Sequence, residues 1–402
     1  MEKYTLSNGL TVLFRKNNSN SLALEVMFKV GSNYEEKPVF GISHFLEHML
    51  FEGTKKRPDS IAIANEIEKY GAEFNAYTSI NRTAFFIKII NRHFDAALDI
   101  LSDMAVNSIF REDKIEKEKK VVLREIDMVT DDARQHQWVL FQKNLFEKHP
   151  AKNPILGTIE TVKGLNRNKI LDYYKKHYVP NNMILSLVGN VNNPRKKIEQ
   201  YFGNLEPGKL PAAKKIIEPK QTKPKVFVEK RKMQNSYMVL GYKTVPRLHE
   251  DSFAFDVIYS ILGRGQSGWI FDAIRNKHGL SYQTGVQNES ENDYGTFAVY
   301  AGLDKKNIGK AKGLILGEFK KLQTITKKDL TEAKTYIEGH HALEVEDNFR
   351  SADELAYWEL IKDANLAKSY IDRIMKVRIE DVKRVAKQYL NDNYTFVAIE
   401  QK

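Results

Sequence analysis

Two histidines spaced four residues apart are the side chains of this sequence best suited to metal chemistry. Residues 44–48 read His-Phe-Leu-Glu-His, which places Glu47 directly before the second histidine. On a helix, His44 and His48 lie one turn apart on the same side, and zinc accepts neutral imidazole nitrogen at about 2.0–2.1 Å. Glu47 lies on that side too, where it can act as a base without binding the metal. The segment therefore predicts a metal site with its own general base.

An amphipathic helix over residues 41–53 is predicted to position these three side chains. Its apolar stripe, on roughly the opposite side, repeats at helical spacing and consists of Ile42, Phe45, Leu46, Met49 and Leu50. Gly53 fits a C-terminal stop. The alternative is an ordinary amphipathic helix with both histidines on the surface or in the core. The motif is also one ligand short, because a catalytic zinc has three protein ligands plus water.

The best candidate for the third ligand lies in a second predicted helix, residues 114–128 (KIEKEKKVVLREIDM). Glu118 and Glu125 are seven residues apart, or two turns, and share one face. A glutamate in a charged helix is solvated more often than not, and that is the alternative here. The neighbours of Glu125 favour the ligand instead, because they are apolar: Val121, Val122, Leu123 and Ile126.

These segments resemble the inverzincin metallopeptidases of the pitrilysin and mitochondrial-processing-peptidase family. In that family the H-x-x-E-H motif is followed 76 residues later by a ligand glutamate, and 76 residues separate His48 from Glu125 here. A second family glutamate, seven residues before the ligand, matches Glu118. The resemblance covers nearly the whole chain, through the segments GISHFLEHMLFEGT (41–54), FNAYTS (74–79), PILGT (154–158) and YVPNNMILSLVG (178–189).

The resemblance implies a zinc-dependent endopeptidase that hydrolyses peptides or unfolded polypeptide segments. His44, His48 and Glu125 would hold one Zn²⁺ per chain, Glu47 would be the general base, and Glu118 would orient a ligand or assist the site. The alternative is a non-catalytic core or assembly subunit of the same fold, which is marked by a damaged motif or a missing third glutamate. Another is a chain that is catalytic only with a different partner subunit. The intact motif favours the peptidase.

Residues 72–90 predict two strands around a turn near 79–82. On the residues alone this is a plain hairpin. The resemblance implies that FNAYTS forms the sheet edge on which a substrate peptide adds as a strand, so that Asn75 and Ala76 contact the substrate.

Arg275 and Tyr282 are unremarkable by themselves, as a helix arginine and a strand tyrosine. The family carries an Arg-x6-Tyr pair at this point, and the spacing of seven positions matches it. The resemblance implies that the pair binds the substrate backbone and supports the developing oxyanion.

The chain reads as a duplicated unit. Residues 178–189 align with residues 389–400 (YLNDNYTFVAIE) at an offset of 389 − 178 = 211. Residues 252–262 occupy the place of the motif helix but contain neither histidine nor glutamate. Helical runs follow one another rather than alternating singly with strands, which favours α+β layers. We predict two homologous α+β domains, each a mostly antiparallel sheet packed with helices, and one metal site.

The predicted domain ranges are 1–205 for the zinc-binding domain and 226–402 for the second domain. Residues 206–225 hold four of the eleven prolines and no strong periodicity, which predicts an extended, semi-rigid linker. In the family, substrate is enclosed in a chamber between two halves, each about the size of this chain. A homodimer is therefore expected, with Arg275 and Tyr282 acting in the same chain or in the other one.

Composition narrows the partners and the compartment. The net charge of +11 does not predict nucleic-acid binding, because the lysines are spread through helices beside glutamates and no aromatic-basic motif appears. No apolar run approaches the roughly 18 residues of a membrane span, so no membrane association is expected. The sequence has no cysteine, which excludes disulfides and fits a reducing compartment. Its first residues, MEKYTLSNGL, lack the apolar core of a signal peptide, and we expect a cytoplasmic protein.

Overall fold

The fold is described from a computed structural model that covers residues 1–211 and 216–402. Of Tyr282 it describes the backbone only. The strands, in chain order, are β1 (Glu2–Thr5), β2 (Thr11–Lys16), β3 (Ser21–Phe28), β4 (Glu73–Thr78), β5 (Thr83–Ile90), β6 (Met183–Gly189), β7 (Lys225–Arg231), β8 (Ser236–Thr244), β9 (Ser281–Ser290), β10 (Gly295–Leu303) and β11 (Thr395–Gln401).

The helices also follow chain order. They are α1 (Ile42–Met49), α2 (Ser60–Glu68), α3 (Phe94–Asn107), α4 (Glu112–Asp131), α5 (Ala133–Leu145), α6 (Ile159–Lys163), α7 (Arg167–His177), α8 (Pro194–Phe202), α9 (Asp251–Gly263), α10 (Trp269–Phe271), α11 (Ile308–Lys321), α12 (Lys327–Glu344), α13 (Asn348–Ile361), α14 (Tyr370–Lys376) and α15 (Ile379–Tyr389). Within the described residues, no helix is both long and apolar enough to cross a membrane.

The first compact unit is built on a six-stranded sheet in the order β1-β2-β6-β3-β5-β4. All neighbouring strands are antiparallel except β2 and β6, which are parallel. Strands β3 and β6 are buried almost throughout, so both faces of the sheet are covered. Helix α13 packs on β6 and β3, and α1 and α3 contact β4 and β5. The candidate site lies in this unit.

The second unit repeats five strands of the first in the order β7-β11-β8-β10-β9. The pair β7 and β11 is parallel and the others are antiparallel, which reproduces the pattern of β2-β6-β3-β5-β4 strand for strand. Helix α9 follows the strand β8 as α1 follows β3. Two homologous units of mostly antiparallel sheet packed with helices are thus confirmed.

Each compact unit includes one helical segment from the other half of the sequence. Residues 129–152, which contain α5, belong to the second unit, and residues 344–367, which contain α13, belong to the first. Helix α5 packs on β11 and β8, just as α13 packs on β6 and β3. The compact units therefore differ from the contiguous ranges 1–205 and 226–402, because the outer face of each sheet is covered by a helix from the other half.

The predicted linker is seen in two pieces. Residues 206–211 and 216–224 contain neither helix nor strand, and β7 begins at Lys225. Residues 212–215 of this prediction lie outside the described part of the chain.

Candidate metal centre

Helix α1 starts where the chain passes through a backbone conformation that only glycine adopts readily. Gly41 has φ +91°, and a Cβ on it would lie 2.5 Å from the carbonyl oxygen of Leu156. The PILGT segment (154–158) therefore contacts the start of α1, and this close contact leaves no room for a side chain at Gly41. The first N–H groups of α1 are bound by Glu35, whose two oxygens accept from Gly41 N (2.7 Å) and Ser43 N (2.9 Å).

Helix α1 is shorter than the predicted range 41–53. It ends at Met49, and the next turn tightens, with Phe51 N donating to His48 O and Glu52 N to Met49 O. The apolar stripe is buried as predicted: Ile42, Phe45, Leu46, Met49 and Leu50 are each at most 1 % exposed. The stripe anchors the helix and leaves the opposite side, which carries the motif, at the surface of the core.

Helix α4 brings two glutamates to that side. It covers Glu112–Asp131, which includes the whole of the predicted helix 114–128. Val122 is buried and Ile115 nearly so, which fixes the face that packs on the unit. Glu118 and Glu125 both reach the motif, as their two-turn spacing predicts.

The two histidines and Glu125 converge on a common point. Glu125 Oε2 lies 3.7 Å from His44 Nε2 and 3.6 Å from His48 Nε2. Within the described residues these three form a group whose ligand atoms all lie within 4.8 Å of one another. Ligand atoms placed about 2.0–2.1 Å from a tetrahedral zinc are about 3.3–3.4 Å apart, so a small closure would produce that geometry.

The unsatisfied atoms at this point also fit a cation. Glu125 Oε2 is buried and has no hydrogen-bond partner in the described part of the chain. Burying a carboxylate oxygen without a partner costs free energy. The nearest polar atoms are the Nε2 atoms of His44 and His48, and imidazole nitrogens are themselves common zinc ligands. Two imidazoles and a carboxylate are the donor set of a catalytic zinc with an open fourth position.

His48 is oriented by Glu118. The Nδ1 of His48 lies 3.2 Å from Glu118 Oε2, and a proton on Nδ1 leaves the Nε2 lone pair facing Glu125. Although burial, the largest single effect, lowers the pKa of His48, the hydrogen bond to Glu118 and the charges of Glu125 and Glu47 together raise it above its usual value. The hydrogen bond with His48 in turn lowers the pKa of Glu118.

His44 is held in the neutral form that binds metals. Burial and, to a lesser extent, the neighbouring His48 lower its pKa to about 3. The two rings lie edge to face, with centroids 4.7 Å apart. His44 is thus neutral, whereas the surrounding carboxylates favour a proton on His48. A divalent cation bound at this point would supply the positive charge that those carboxylates attract.

Glu47 is placed beside this centre by a residue to which the sequence assigned no role. Thr78 Oγ1 donates to Glu47 Oε2 at 2.5 Å, and Thr78 is the last residue of β4. Burial raises the pKa of Glu47, while the hydrogen bond from Thr78 lowers it. A carboxylate with a raised pKa is suited to take up and release a proton near neutral pH.

The predicted substrate strand is at the edge of its sheet. Among the described strands, β4 pairs only with β5, and Ser79 N donates to Arg82 O at the hairpin turn. The N–H groups of an antiparallel strand point alternately to either side, and that of Ser79 points toward β5. The N–H of Ala76, three residues earlier, therefore points to the open edge. There it donates to Asn75 Oδ1 at 2.9 Å. The edge next to the metal centre can accept a further strand, and Asn75 and Ala76 lie on it.

Arg275 and Tyr282 belong to the second compact unit. Arg275 lies in the turn Asp272–Asn276 after α10, and its guanidinium is 5.0 Å from the ring centroid of Phe271. Tyr282 is in β9, and its side chain is outside what the structure describes. Their roles remain predictions.

Three residues of the centre were not predicted. Glu35 binds the start of α1, Thr78 binds Glu47, and Glu52 contacts α4. Thr78 could have been found, since β4 alternation places it on the same side as Phe74, which packs against Phe51 just after α1. Nothing in the spacing of Glu35 or Glu52 indicates their contacts.

Family models match both halves of the chain. The model described as insulinase (peptidase family M16) matches residues 11–159, and the model described as the peptidase M16 inactive domain matches residues 164–337. The first range contains all five residues of the predicted centre, and the second begins after it.

Relatives and solved structures match over nearly the full length. A protein of Bacillus subtilis named uncharacterised zinc protease YmxG is 29 % identical over 99 % of this chain and 98 % of its own. A Rickettsia bellii protein, also named an uncharacterised zinc protease, is 30 % identical over 98 % of this chain and 96 % of its own. The crystal structure of a protease from Helicobacter pylori has a TM-score of 0.94 at 25 % identity, covering 99 % of both chains.

Proposed function

Since this chain belongs to the insulinase family of peptidases, family M16, we propose that it is a zinc-dependent endopeptidase of the inverzincin type. The observation that carries this proposal is the convergence of His44, His48 and Glu125 on one point, where the buried Glu125 Oε2 has no hydrogen-bond partner among the described residues. The same observation argues against a non-catalytic subunit, because the centre is complete.

The residues of the chain divide the work between binding and proton transfer. His44, His48 and Glu125 would hold the zinc. When bound, zinc would lower the pKa of a water molecule and act as a Lewis acid toward the scissile carbonyl. Glu47 takes a proton from the attacking water and passes it to the leaving amine. Thr78 holds the Glu47 carboxylate in place, and Glu118 holds the ring of His48.

Substrate is proposed to bind as an added strand on β4. Main-chain hydrogen bonds from Ala76 and its neighbours would then fix the peptide, which makes conformation matter more than side-chain identity. Asn75 Oδ1, which accepts from Ala76 N–H at 2.9 Å, would have to give up that bond to the peptide. Extended peptides and unfolded segments fit such a site, and folded proteins do not.

A homodimer is part of the proposal. It rests on the resemblance to enzymes that enclose substrate between two halves of this size, and on the presence of both the metal residues and Arg275 with Tyr282 in one sequence. On this proposal Arg275 and Tyr282 bind the substrate backbone and stabilise the oxyanion.

The test of the proposed function is Glu47→Gln, assayed for zinc content and for cleavage of unstructured peptides. We expect one zinc per chain, as in the wild type, and a loss of cleavage by several orders of magnitude. His44→Ala is the matched variant, and it should lose both zinc and cleavage. Cleavage by Glu47→Gln at the wild-type rate would refute the mechanism, and absence of zinc from the wild type would refute the function.

A further inference from the structure

A buried carboxylate outside the motif connects the two helices of the metal centre. Glu52 lies four residues after His48, and its side chain is 8 % exposed. Its Oε2 is 2.8 Å from Lys114 Nζ, and its Oε1 accepts from Lys117 Nζ at 3.1 Å. Both lysines are on α4, the helix that carries Glu118 and Glu125.

A chain of polar contacts connects Glu52 to the imidazole ring of His48, one of the proposed zinc ligands. Lys117 Nζ is also 3.5 Å from Glu118 Oε1. The other oxygen of Glu118, Oε2, is 3.2 Å from His48 Nδ1. Charges of alternating sign therefore run from Glu52 through Lys117 and Glu118 to His48.

We propose that Glu52 is a positioning residue for the metal centre, which fixes the rotation of α4 through Lys114 and Lys117 and so places Glu118 and Glu125. This inference rests on the proposed zinc-dependent function. It assigns Glu52 no contact with substrate or with the reacting atoms.

Helix geometry shows why two attachment points matter. At 100° per residue, Lys114, Glu118 and Glu125 lie within about 40° of one another around α4, while Lys117 lies about 60° to one side. A rotation of α4 by about 20° would move a side-chain tip, about 6 Å from the helix axis, by about 2 Å. Metal sites tolerate displacements of only about 0.2 Å in ligand distance. Attachment at two points about 60° apart around the helix resists such a rotation.

Charge balance gives a second reason. The side chain of Lys117 is 56 % exposed and can change rotamer. Without the charge of Glu52, its partner among these residues would be Glu118, which it would draw away from His48 Nδ1. Since a histidine ligand is oriented by its second nitrogen, a weaker Glu118–His48 contact should weaken metal binding.

An ion pair that merely stabilises the fold would behave differently. Removing such a pair would lower the melting temperature of the zinc-free protein and leave the zinc dissociation constant of the folded protein unchanged. A positioning residue changes the dissociation constant. The Glu116–Lys119 pair (2.6 Å) provides the matched control, since it joins two residues of α4 only.

The experiment compares Glu52→Gln, Glu52→Asp and Glu116→Gln with the wild type. Zinc dissociation constants are measured by competition with a chelator, and melting temperatures are measured on zinc-free protein. We expect Glu52→Gln to weaken zinc binding by 10- to 100-fold. Glu52→Asp, which keeps the charge, should recover most of this loss, and Glu116→Gln should change the constant by less than about twofold.

Several results would overturn the inference. Zinc binding by Glu52→Gln within twofold of the wild type refutes it, and so does an equal loss in Glu52→Gln and Glu116→Gln. If Glu52→Gln does not fold, Lys114→Gln carries the same expectation, because it removes one of the two attachments of Glu52 to α4. Failure of the wild type to bind zinc would refute the proposed function as well, whereas a normal wild type with unaffected variants refutes only the role of Glu52.

Discussion

The stability of the first unit should depend on pH through one buried carboxyl group at the start of α1. Glu35 is 8 % exposed, and both of its oxygens accept backbone N–H groups of α1. Burial raises its pKa to about 7, although the hydrogen bonds from Ser43 and Gly41 lower it. We predict that Glu35→Gln removes a fall in stability that the wild type shows between about pH 4.5 and pH 7.

The sign and size of this effect follow from proton linkage. Between the ordinary pKa of 4.5 and about 7, folded Glu35 keeps its proton while the unfolded chain has lost it, so the folded state is weakened as the pH rises. That pKa difference corresponds to about 3 kcal/mol. Below about pH 4.5 both states are protonated, and above about pH 7 both are ionised, so the contribution levels off on either side.

The assay needs a reporter in the first unit. Of the three tryptophans, Trp358 lies in α13, which packs on the first sheet, and Trp138 and Trp269 lie in the second unit. Urea unfolding of Trp138→Phe/Trp269→Phe protein, with and without Glu35→Gln, would be followed by fluorescence from pH 4.5 to 8 in the presence of a chelator.

The other titrating groups are common to both proteins and cancel in the difference. The free energy of unfolding of the Glu35→Gln protein, relative to its parent, should rise by about 3 kcal/mol from pH 4.5 to pH 7.5. A difference that stays constant within about 0.5 kcal/mol would show that Glu35 is ionised throughout, with its two N–H bonds outweighing burial.

Two further predictions concern activity and assembly. Thr78→Val should lower kcat by about tenfold with zinc content unchanged, because Glu47 loses its 2.5 Å hydrogen bond. Thr78→Ser keeps the hydroxyl and is the control, and equal rates in the two variants would contradict the role. Light scattering should give about twice the chain mass of 46.4 kDa, and a monomer at working concentration would contradict the dimer.

The shared faces of α1 and of α4 could be predicted because they depend on local geometry. Side chains spaced by three or four residues share a helix face whatever the helix packs against. The apolar stripe of α1 and the two-turn spacing of Glu118 and Glu125 therefore carried over directly into the structure. The hairpin was equally local, with β4 and β5 on either side of residues 79–82.

The exchange of α5 and α13 could not be predicted in this way. A periodic pattern shows that one face of a helix is buried but not which sheet covers it. Helix α13 lies some 160 residues after β6 in the chain, yet its Phe349 stacks on Phe86 of β5, with ring centroids 3.7 Å apart. The contacts of Glu35 and Glu52 are missing from the prediction for the same reason, since each joins separate elements.

In the second unit the helix that takes the place of α1 is α9, which contains neither histidine nor glutamate. Helix α9 carries two polar side chains with the same four-residue spacing as His44 and His48, namely Asp256 and Ser260. Asp256 accepts from Arg247 Nη1 at 2.7 Å and from Asn288 at 2.9 Å, and Ser260 Oγ donates to Ala333 O at 3.1 Å.

These two polar positions of α9 are therefore satisfied by protein groups, whereas in α1 both ring Nε2 atoms face a buried oxygen of Glu125 that has no hydrogen-bond partner in the described part of the chain. A buried polar group without a partner is costly, and a fold that can satisfy these positions internally has done so in one of its two units. In the first unit, a cation at the common point of His44, His48 and Glu125 would supply the partner that Glu125 Oε2 lacks among the described residues.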